Sequence, residues 1–121
     1  MQHVIAIEAA YTYGDTWMDE AAAYVKANSE FTQEFLKERM PKVGIARHEG
    51  TFLTWLDMNC LGLTSTEITD ILAKEYGIAL GDGSHYGKGS EGFMRFNIGC
   101  ARETLEKGLE QMAKMYEKYV K

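Results

Sequence analysis

Arg95 and Asn97 are the residues of this chain whose types and spacing best suit the binding of an anion. They lie in the stretch 93–98, where apolar residues occupy every second position. Strand side chains alternate between two faces, so the apolar residues share one face and Arg95 and Asn97 share the other. An arginine fork fits a carboxylate with two parallel hydrogen bonds. The partner of Arg95 is therefore either an acidic residue of this chain, which is the commoner case, or the carboxylate of a small substrate.

Asp57 is the candidate for an internal partner of an arginine. It lies in the apolar stretch 51–58 and faces the same way as Leu53 and Trp55. A carboxylate within an apolar strand needs a partner, because burying an unpaired charge is costly. We expect Asp57 to pair with an arginine of this chain, and Arg95 is one candidate.

A long amphipathic helix is predicted at residues 16–40. Its apolar positions recur every three or four residues, Asn28 fills one step, and Pro41 ends the pattern. Asp15 is the expected N-cap. The apolar residues at 2–12 fit either a short helix or a segment packed on a partner. The stripe of the long helix is predicted to lie in the core, and it consists of Trp17, Ala21, Tyr24, Phe31 and Phe35.

Two more helices and four short strands are expected to complete the domain. Thr64 and Glu67 form a capping box that opens one helix, and Gly77 closes it. The last helix follows Ala101. The second strand is predicted to be central and antiparallel to the first. The sum is a two-layer α+β domain, in which three helices pack on a small, mainly antiparallel sheet. The strands are predicted at residues 43–47, 51–58, 78–80 and 93–98.

Composition limits the partners of the chain. Its 121 residues are 45% hydrophobic and 26% charged, which is typical of one globular domain. A net charge of −5 argues against nucleic acid and against an anionic membrane surface. No apolar run approaches the roughly 18 residues that span a bilayer, and the start of the chain lacks the basic residues of a signal peptide. Cys60 and Cys100 are interpreted as reduced thiols of a cytoplasmic protein.

The glycine-rich stretch 81–92 contains two patterns that imitate nucleotide motifs. Gly87, Gly89 and Gly92 spell G-x-G-x-x-G, but the dinucleotide motif requires a helix afterwards, and here a strand is predicted to follow. The pair of Gly87 and Lys88 lacks the glycine that a P-loop places five residues before it. No metal site is expected, because the three histidines do not share ligand spacing.

Three longer stretches resemble one enzyme family. They read EAAYTYGDTWMDEAAAYVKAN at 8–28, EGTFLTWLDMNCLGL at 49–63 and GIALGDGSHYGKGSEGFMRFNIGCAR at 77–102. They are similar to the C-terminal, small domain of the fold-type-I enzymes that use pyridoxal 5′-phosphate (PLP), the aminotransferase superfamily. Within it they resemble the cystathionine β-lyase-like carbon–sulfur lyases of the MalY/PatB type. The resemblance covers nearly the whole chain.

The resemblance implies the domain organisation and the site. Residues 1–40 correspond to an N-terminal segment with an interdomain helix, and residues 41–121 to the small domain. In the family, an arginine at the position of Arg95 binds the α-carboxylate of an amino-acid substrate. Asn97 shares the face of this arginine and becomes a further candidate for substrate binding. The family enzymes are dimers, so a homodimeric parent is expected.

The glycine-rich loop lies near the active-site mouth in the family. Ser84, His85 and Tyr86 are therefore candidate substrate-facing residues. The same resemblance exposes what the chain lacks, because PLP enzymes need a lysine that forms a Schiff base. In this superfamily that lysine ends an S-x-x-K block, and no serine of this chain has a lysine three residues later.

We therefore expect the chain to be the C-terminal part of a longer enzyme whose missing large domain holds PLP. No catalytic or cofactor-binding residue is assigned within it, and alone it is expected to be inactive. The parent is predicted to release a thiol, ammonia and pyruvate from a thioether amino acid such as cystathionine. Two alternatives stay open: an aminotransferase that acts on an amino acid, and a stand-alone domain that binds an amino acid or a partner.

Overall fold

The computed structural model describes all 121 residues, which form four α-helices and a four-stranded sheet. Two short 3₁₀ turns, Asn59–Leu61 and Gly83–Tyr86, connect them. None of the helices has the length and apolar content needed to cross a bilayer. The helices and strands are α1 (Gln2–Tyr13), α2 (Asp15–Arg39), β1 (Gly44–Ile45), β2 (Leu53–Asp57), α3 (Ser65–Glu75), β3 (Gly81–Asp82), β4 (Phe93–Asn97) and α4 (Arg102–Tyr119).

The sheet has the strand order β1-β2-β4-β3, and every neighbouring pair is antiparallel. The central position predicted for the second strand is confirmed, as is its antiparallel pairing with the first. The register places Trp55 and Gly81 on either side of Arg95. β4 is therefore an inner strand, and its residues are held from both sides by backbone pairing.

The core lies on one face of the sheet, as the alternation in β4 predicts. Leu56, Met94 and Ile98 are fully buried there. α4 contributes an apolar stripe to the same core, and Leu105 and Leu109 are among its buried residues. The two-layer α+β architecture is thus confirmed.

The ends of α3 follow the signals in its sequence. Thr64 Oγ1 accepts from the Glu67 amide, and the Glu67 carboxylate accepts from the Thr64 amide, which completes the predicted capping box. Gly77 follows the helix with φ of +69°, a conformation that glycine adopts without steric cost. These two signals set where α3 begins and where it ends.

The predicted core stripe of α2 is wrong in its first half. Trp17 is 68% exposed and Tyr24 is 47% exposed, while Phe31 and Phe35 are only partly buried. The buried residues are instead Asn28, Ser29, Thr32 and Leu36. Asn28 is tolerated there because its amide donates to two backbone carbonyls, which offsets the cost of burying it. α1 has no buried residue at all.

Two smaller predictions are also corrected. Asp15 is the first residue of α2 rather than its N-cap, since Gly14 takes the cap position without a side-chain bond. The strand expected at 78–80 is not formed, and Gly81 and Asp82 pair with β4 instead. The amide of Ile78 donates to the Leu72 carbonyl at the end of α3, so it is not available to the sheet.

Candidate functional site

Arg95 projects from the face of β4 that is turned away from the core. Its neighbours Met94 and Phe96 point inward and are buried, whereas Arg95 and Asn97 are exposed. The predicted separation of the two faces is therefore observed. Because β4 is an inner strand, the Cα of Arg95 is fixed even though its side chain reaches solvent.

The guanidinium group of Arg95 lies over one aromatic ring, which belongs to a group of three rings in mutual contact. The Arg95 Cζ lies 5.0 Å from the centre of the Tyr86 ring. Trp55, which is opposite Arg95 in the sheet, meets Tyr86 edge to face at 5.7 Å and stacks on Phe93 at 5.6 Å. We call Trp55, Tyr86 and Phe93 the aromatic platform. A cation above an aromatic face is attracted by the ring quadrupole.

Asp57 is not the partner of Arg95, so that prediction is wrong. Its Oδ1 accepts from the backbone amide of Asn59 at 3.0 Å and from the Asn59 side chain at 2.8 Å. The carboxylate is thus satisfied locally, at the turn that follows β2. Across the sheet, Asp57 pairs with Phe93 and not with Arg95.

Arg95 differs from the other three arginines of the chain. Arg39 bonds to Glu110 at 3.1 Å, Arg47 contacts Glu49 at 2.7 Å, and Arg102 donates to Asn28 at 2.9 Å. The side chain of Arg95 makes no hydrogen bond or salt bridge within the chain. Its five N–H donors therefore remain available to a group from outside the chain.

The other predicted site residues divide into two groups. Asn97 Oδ1 accepts from the Gly99 amide at 2.8 Å, and its exposed NH₂ group lies on the same sheet face as Arg95. Tyr86 belongs to the aromatic platform. Ser84 instead donates to Asp82 Oδ1 at 2.6 Å, so its hydroxyl is committed to the fold. His85 is exposed next to Tyr86.

Asp82 is a residue of this site that the sequence analysis missed. It is buried, and it accepts from the Thr66 hydroxyl at 3.0 Å and from the Ser84 amide at 2.9 Å. The hydrogen bond from the Ser84 hydroxyl is the largest of several effects that lower the pKa of Asp82. The sequence signal was the Asp-x-Ser pattern, which is typical of an Asx turn. Asp82 fixes the start of the turn that carries Tyr86.

Two cavities of the domain lie apart from Arg95. The first, of about 660 Å³, lies between the first half of α2 and the turn that includes His48 and Thr51. The second, of about 350 Å³, borders Asn97 and Cys100 beside α4. Arg95 lines neither of them, and its position on the sheet is exposed.

The residues around Arg95 do not by themselves fit a PLP cofactor. The aromatic platform offers no lysine for a Schiff base, and the chain has no S-x-x-K block. A phosphate cradle at a helix N-terminus is likewise not part of this surface. We therefore assign no step through the cofactor to residues of this chain.

No protein-family profile matches the chain. Among curated proteins, it is 39% identical over 109 residues to cystathionine β-lyase PatB of Bacillus subtilis, covering 90% of this chain and 28% of that protein. Protein MalY of Escherichia coli is 32% identical over 101 residues, covering 84% of this chain and 26% of that protein. The chain thus spans less than a third of the length of these relatives.

A solved structure agrees with these sequence matches. It is a PLP-bound protein of Clostridium difficile that was described as an aminotransferase, with a TM-score of 0.86 and 35% identity over 90% of this chain and 28% of that one. The fold and the matches define the chain as the C-terminal, small domain of a fold-type-I PLP enzyme. Within that class, the homologues that match most of this chain are cystathionine β-lyase PatB and protein MalY.

Proposed function

We propose that this chain is the substrate-carboxylate-binding small domain of a PLP-dependent carbon–sulfur β-lyase. The observation that carries the proposal is the state of Arg95, which is exposed, fixed on an inner strand and without a partner in its own chain. A guanidinium in this state is complementary to an external carboxylate. The reaction class in this proposal is taken from the name of the relative PatB, a cystathionine β-lyase. The carboxylate-binding residue, Arg95, is taken from this chain.

Arg95 acts in this proposal by positioning. Two parallel hydrogen bonds from its fork hold the α-carboxylate, and the NH₂ group of Asn97, on the same sheet face, donates a third. Fixing the carboxylate orients the bonds at Cα, including the C–H bond that must lose its proton, and such orientation lowers the entropic part of the barrier. Lysine would keep the charge but lose the planar fork.

The overall reaction proposed for the parent is the cleavage of a thioether amino acid such as cystathionine. The bond between Cβ and sulfur breaks and the thiol leaves, while water converts the remaining three carbons and the amino group into pyruvate and ammonia. PLP supplies the electron sink for such chemistry when it is bound. We assign its lysine and phosphate contacts to the large domain, which lies in the part of the relatives that this chain does not span.

Transamination is the second candidate function. It is supported by the Clostridium difficile structure, which was described as an aminotransferase. Arg95 would have the same role, because both reactions begin with an amino acid held by its carboxylate. A strict requirement for a keto acid in stoichiometric amounts would identify the parent as an aminotransferase, and pyruvate release without one would identify it as a lyase.

We further propose that the parent is a cytoplasmic homodimer. α1 and the start of α2 expose apolar residues that need a covering surface, among them Val4, Ile7, Tyr11 and Trp17. Isolated, the 121-residue chain is expected to self-associate, and a monomer at all concentrations in sedimentation would contradict this.

The cytoplasmic location is supported by the cysteines. Cys60 and Cys100 are both unpaired, which is typical of a reducing compartment.

The role of Arg95 is tested by kinetics of the whole enzyme. We expect Arg95→Lys to raise the KM for the amino acid about ten- to hundredfold, because two charge-assisted hydrogen bonds are disturbed. Cofactor binding, followed by PLP absorbance, is expected to be unchanged. Arg47→Lys is the matched control, since Arg47 is highly exposed and pairs only with Glu49. Equal KM values for Arg95→Lys and wild type would refute the role.

The separate chain provides a second test. With added PLP and cystathionine, the 121 residues alone are expected to release no pyruvate, because the Schiff-base lysine is assigned to the large domain. Measurable turnover by the purified chain would overturn the division of labour proposed here.

A further inference from the structure

The guanidinium of Arg95 is held by a ring and not by an acid. The centre of the Tyr86 ring lies 5.0 Å from the Arg95 Cζ. The Trp55 ring packs against the Tyr86 ring in a T-shaped arrangement, with 5.7 Å between the ring centres. On the neighbouring strand β3, the backbone of Gly81 lies close against the side chain of Arg95. A Cβ placed on Gly81 would lie 3.0 Å from the Arg95 Cβ and 3.2 Å from its Nε. The side chain of Arg95 is therefore confined from two directions.

The kind of holder matters for an arginine that must bind a carboxylate. An acidic neighbour would fix the guanidinium but would also neutralise it and occupy its N–H donors. An aromatic face attracts the cation through its quadrupole and uses none of the N–H groups that lie in the guanidinium plane. The ring thus limits the rotamers of the side chain while leaving its charge and fork available.

We propose that Tyr86 is a positioning residue, whose ring holds the Arg95 guanidinium in the orientation that receives the substrate carboxylate. This inference rests on the proposed function for its biological meaning. The contact between the two side chains does not depend on it, and it is testable in the chain without substrate.

The ring of Tyr86 is placed by the turn that precedes it. Asp82 accepts from Thr66 on α3 and from the amide and hydroxyl of Ser84, which fixes the first residues of the turn. Gly83 is pressed against β4, since a Cβ there would lie 2.1 Å from the Phe93 carbonyl oxygen. The turn is therefore anchored to both α3 and β4, and it presents Tyr86 from a rigid base.

The direct test measures the mobility of Arg95 in the 121-residue chain by NMR. In wild type, the order parameter of the Arg95 Nε–H bond is expected to be high. In Tyr86→Leu it is expected to fall below about 0.6, the range of flexible groups. Tyr86→Phe keeps the aromatic face and should restore the wild-type value. Because Tyr86 is half exposed, neither variant is expected to unfold the chain.

Tyr119→Leu is the matched control, because it removes a tyrosine ring from beneath another cation, Lys118, at 5.1 Å. It should leave the Arg95 order parameter unchanged. An equally ordered Arg95 in wild type and Tyr86→Leu would overturn the inference, as would a loss of order in Tyr86→Phe as large as that in Tyr86→Leu.

Kinetics of the whole enzyme then test the consequence for substrate binding. Tyr86→Leu is expected to raise the KM about two- to fivefold with little change in kcat, and Tyr86→Phe to behave as wild type. If Arg95→Lys raises KM strongly and Tyr86→Leu does not change it, the positioning role of Tyr86 is rejected, while the proposed role of Arg95 stands. If neither substitution changes KM while Tyr86→Leu still frees the side chain, the proposed function fails and the contact stands.

Discussion

Two arginines, seven residues apart, occupy opposite kinds of environment. Arg102, at the start of α4, lies 4.4 Å from the Phe31 ring, and its Nε donates to Asn28 at 2.9 Å. Arg95, on β4, also lies over a ring, at 5.0 Å from Tyr86, but donates to nothing in its chain. Both arginines thus contact an aromatic ring. They differ in that only Arg102 also donates a hydrogen bond, to the side-chain oxygen of Asn28.

The difference separates an arginine that builds the fold from one that is available to a ligand. Asn28 connects α2 to the segment after β4, because its amide donates to the carbonyls of Ile98 at 2.8 Å and Cys100 at 3.0 Å while its oxygen accepts from Arg102. Arg102 thus completes a network around the buried side chain of Asn28. Arg95 belongs to no network, so its removal should cost function and not stability.

The largest expected effect is on the Arg102 side of the comparison. Asn28→Ala removes three hydrogen bonds and leaves the carbonyls of Ile98 and Cys100 without that donor, so the free energy of unfolding should fall by about 3 kcal/mol. Urea unfolding of the 121-residue chain measures this. Asn97→Ala, which removes a single exposed hydrogen bond from the Gly99 amide, should lower it by about 1 kcal/mol at most. Similar losses in the two variants would break the comparison.

The arginines themselves should differ in the same direction but by less. Arg102→Ala is expected to lower the unfolding free energy by about 1–2 kcal/mol, since it leaves Asn28 Oδ1 unpaired and exposes the Phe31 ring. Arg95→Ala should stay within about 0.5 kcal/mol of wild type. Thermal or urea unfolding measures the free energy of unfolding of both variants. A destabilisation by Arg95→Ala as large as that by Arg102→Ala would show that Arg95 is structural.

The smallest effect concerns Asp82 and depends on pH. Its folded-state pKa is lowered, chiefly by the Ser84 hydroxyl, so its contribution to stability is present above the unfolded pKa of about 3.9. That contribution is lost as pH falls through the lower folded pKa. The advantage of wild type over Asp82→Asn should therefore be full at pH 6 and shrink below pH 4. Asp19→Asn, on an exposed part of α2, is the control, and an advantage that does not vary with pH would contradict the assignment.

Much of the fold was predictable because local signals decided it. The alternation in β4 separated Arg95 from the core, and Thr64, Glu67 and Gly77 marked both ends of α3. Such features depend on neighbours within a few residues. They are strong when the hydrophobic period, the cap and the turn residue all agree.

The failures of the prediction depend on distant parts of the chain. Trp17 and Tyr24 have helical spacing, yet only the second half of α2 is buried against the rest of the domain, so the spacing could not show which residues are covered. The burial of Asn28 depends on carbonyls 70 and 72 residues away. Asp57 accepts a hydrogen bond from Asn59, two residues later at a turn, and not from an arginine across the sheet.

The central claim is that Arg95 recognises the α-carboxylate of the substrate, and one measurement tests it most directly. The whole enzyme and its Arg95→Ala variant would be compared on a thioether amino acid and on the matching α-carboxamide, with kcat/KM as the readout. Wild type is expected to prefer the acid by roughly 100-fold, because the carboxamide loses two charge-assisted hydrogen bonds, and Arg95→Ala is expected to lose most of that preference. An unchanged preference in Arg95→Ala would contradict the account.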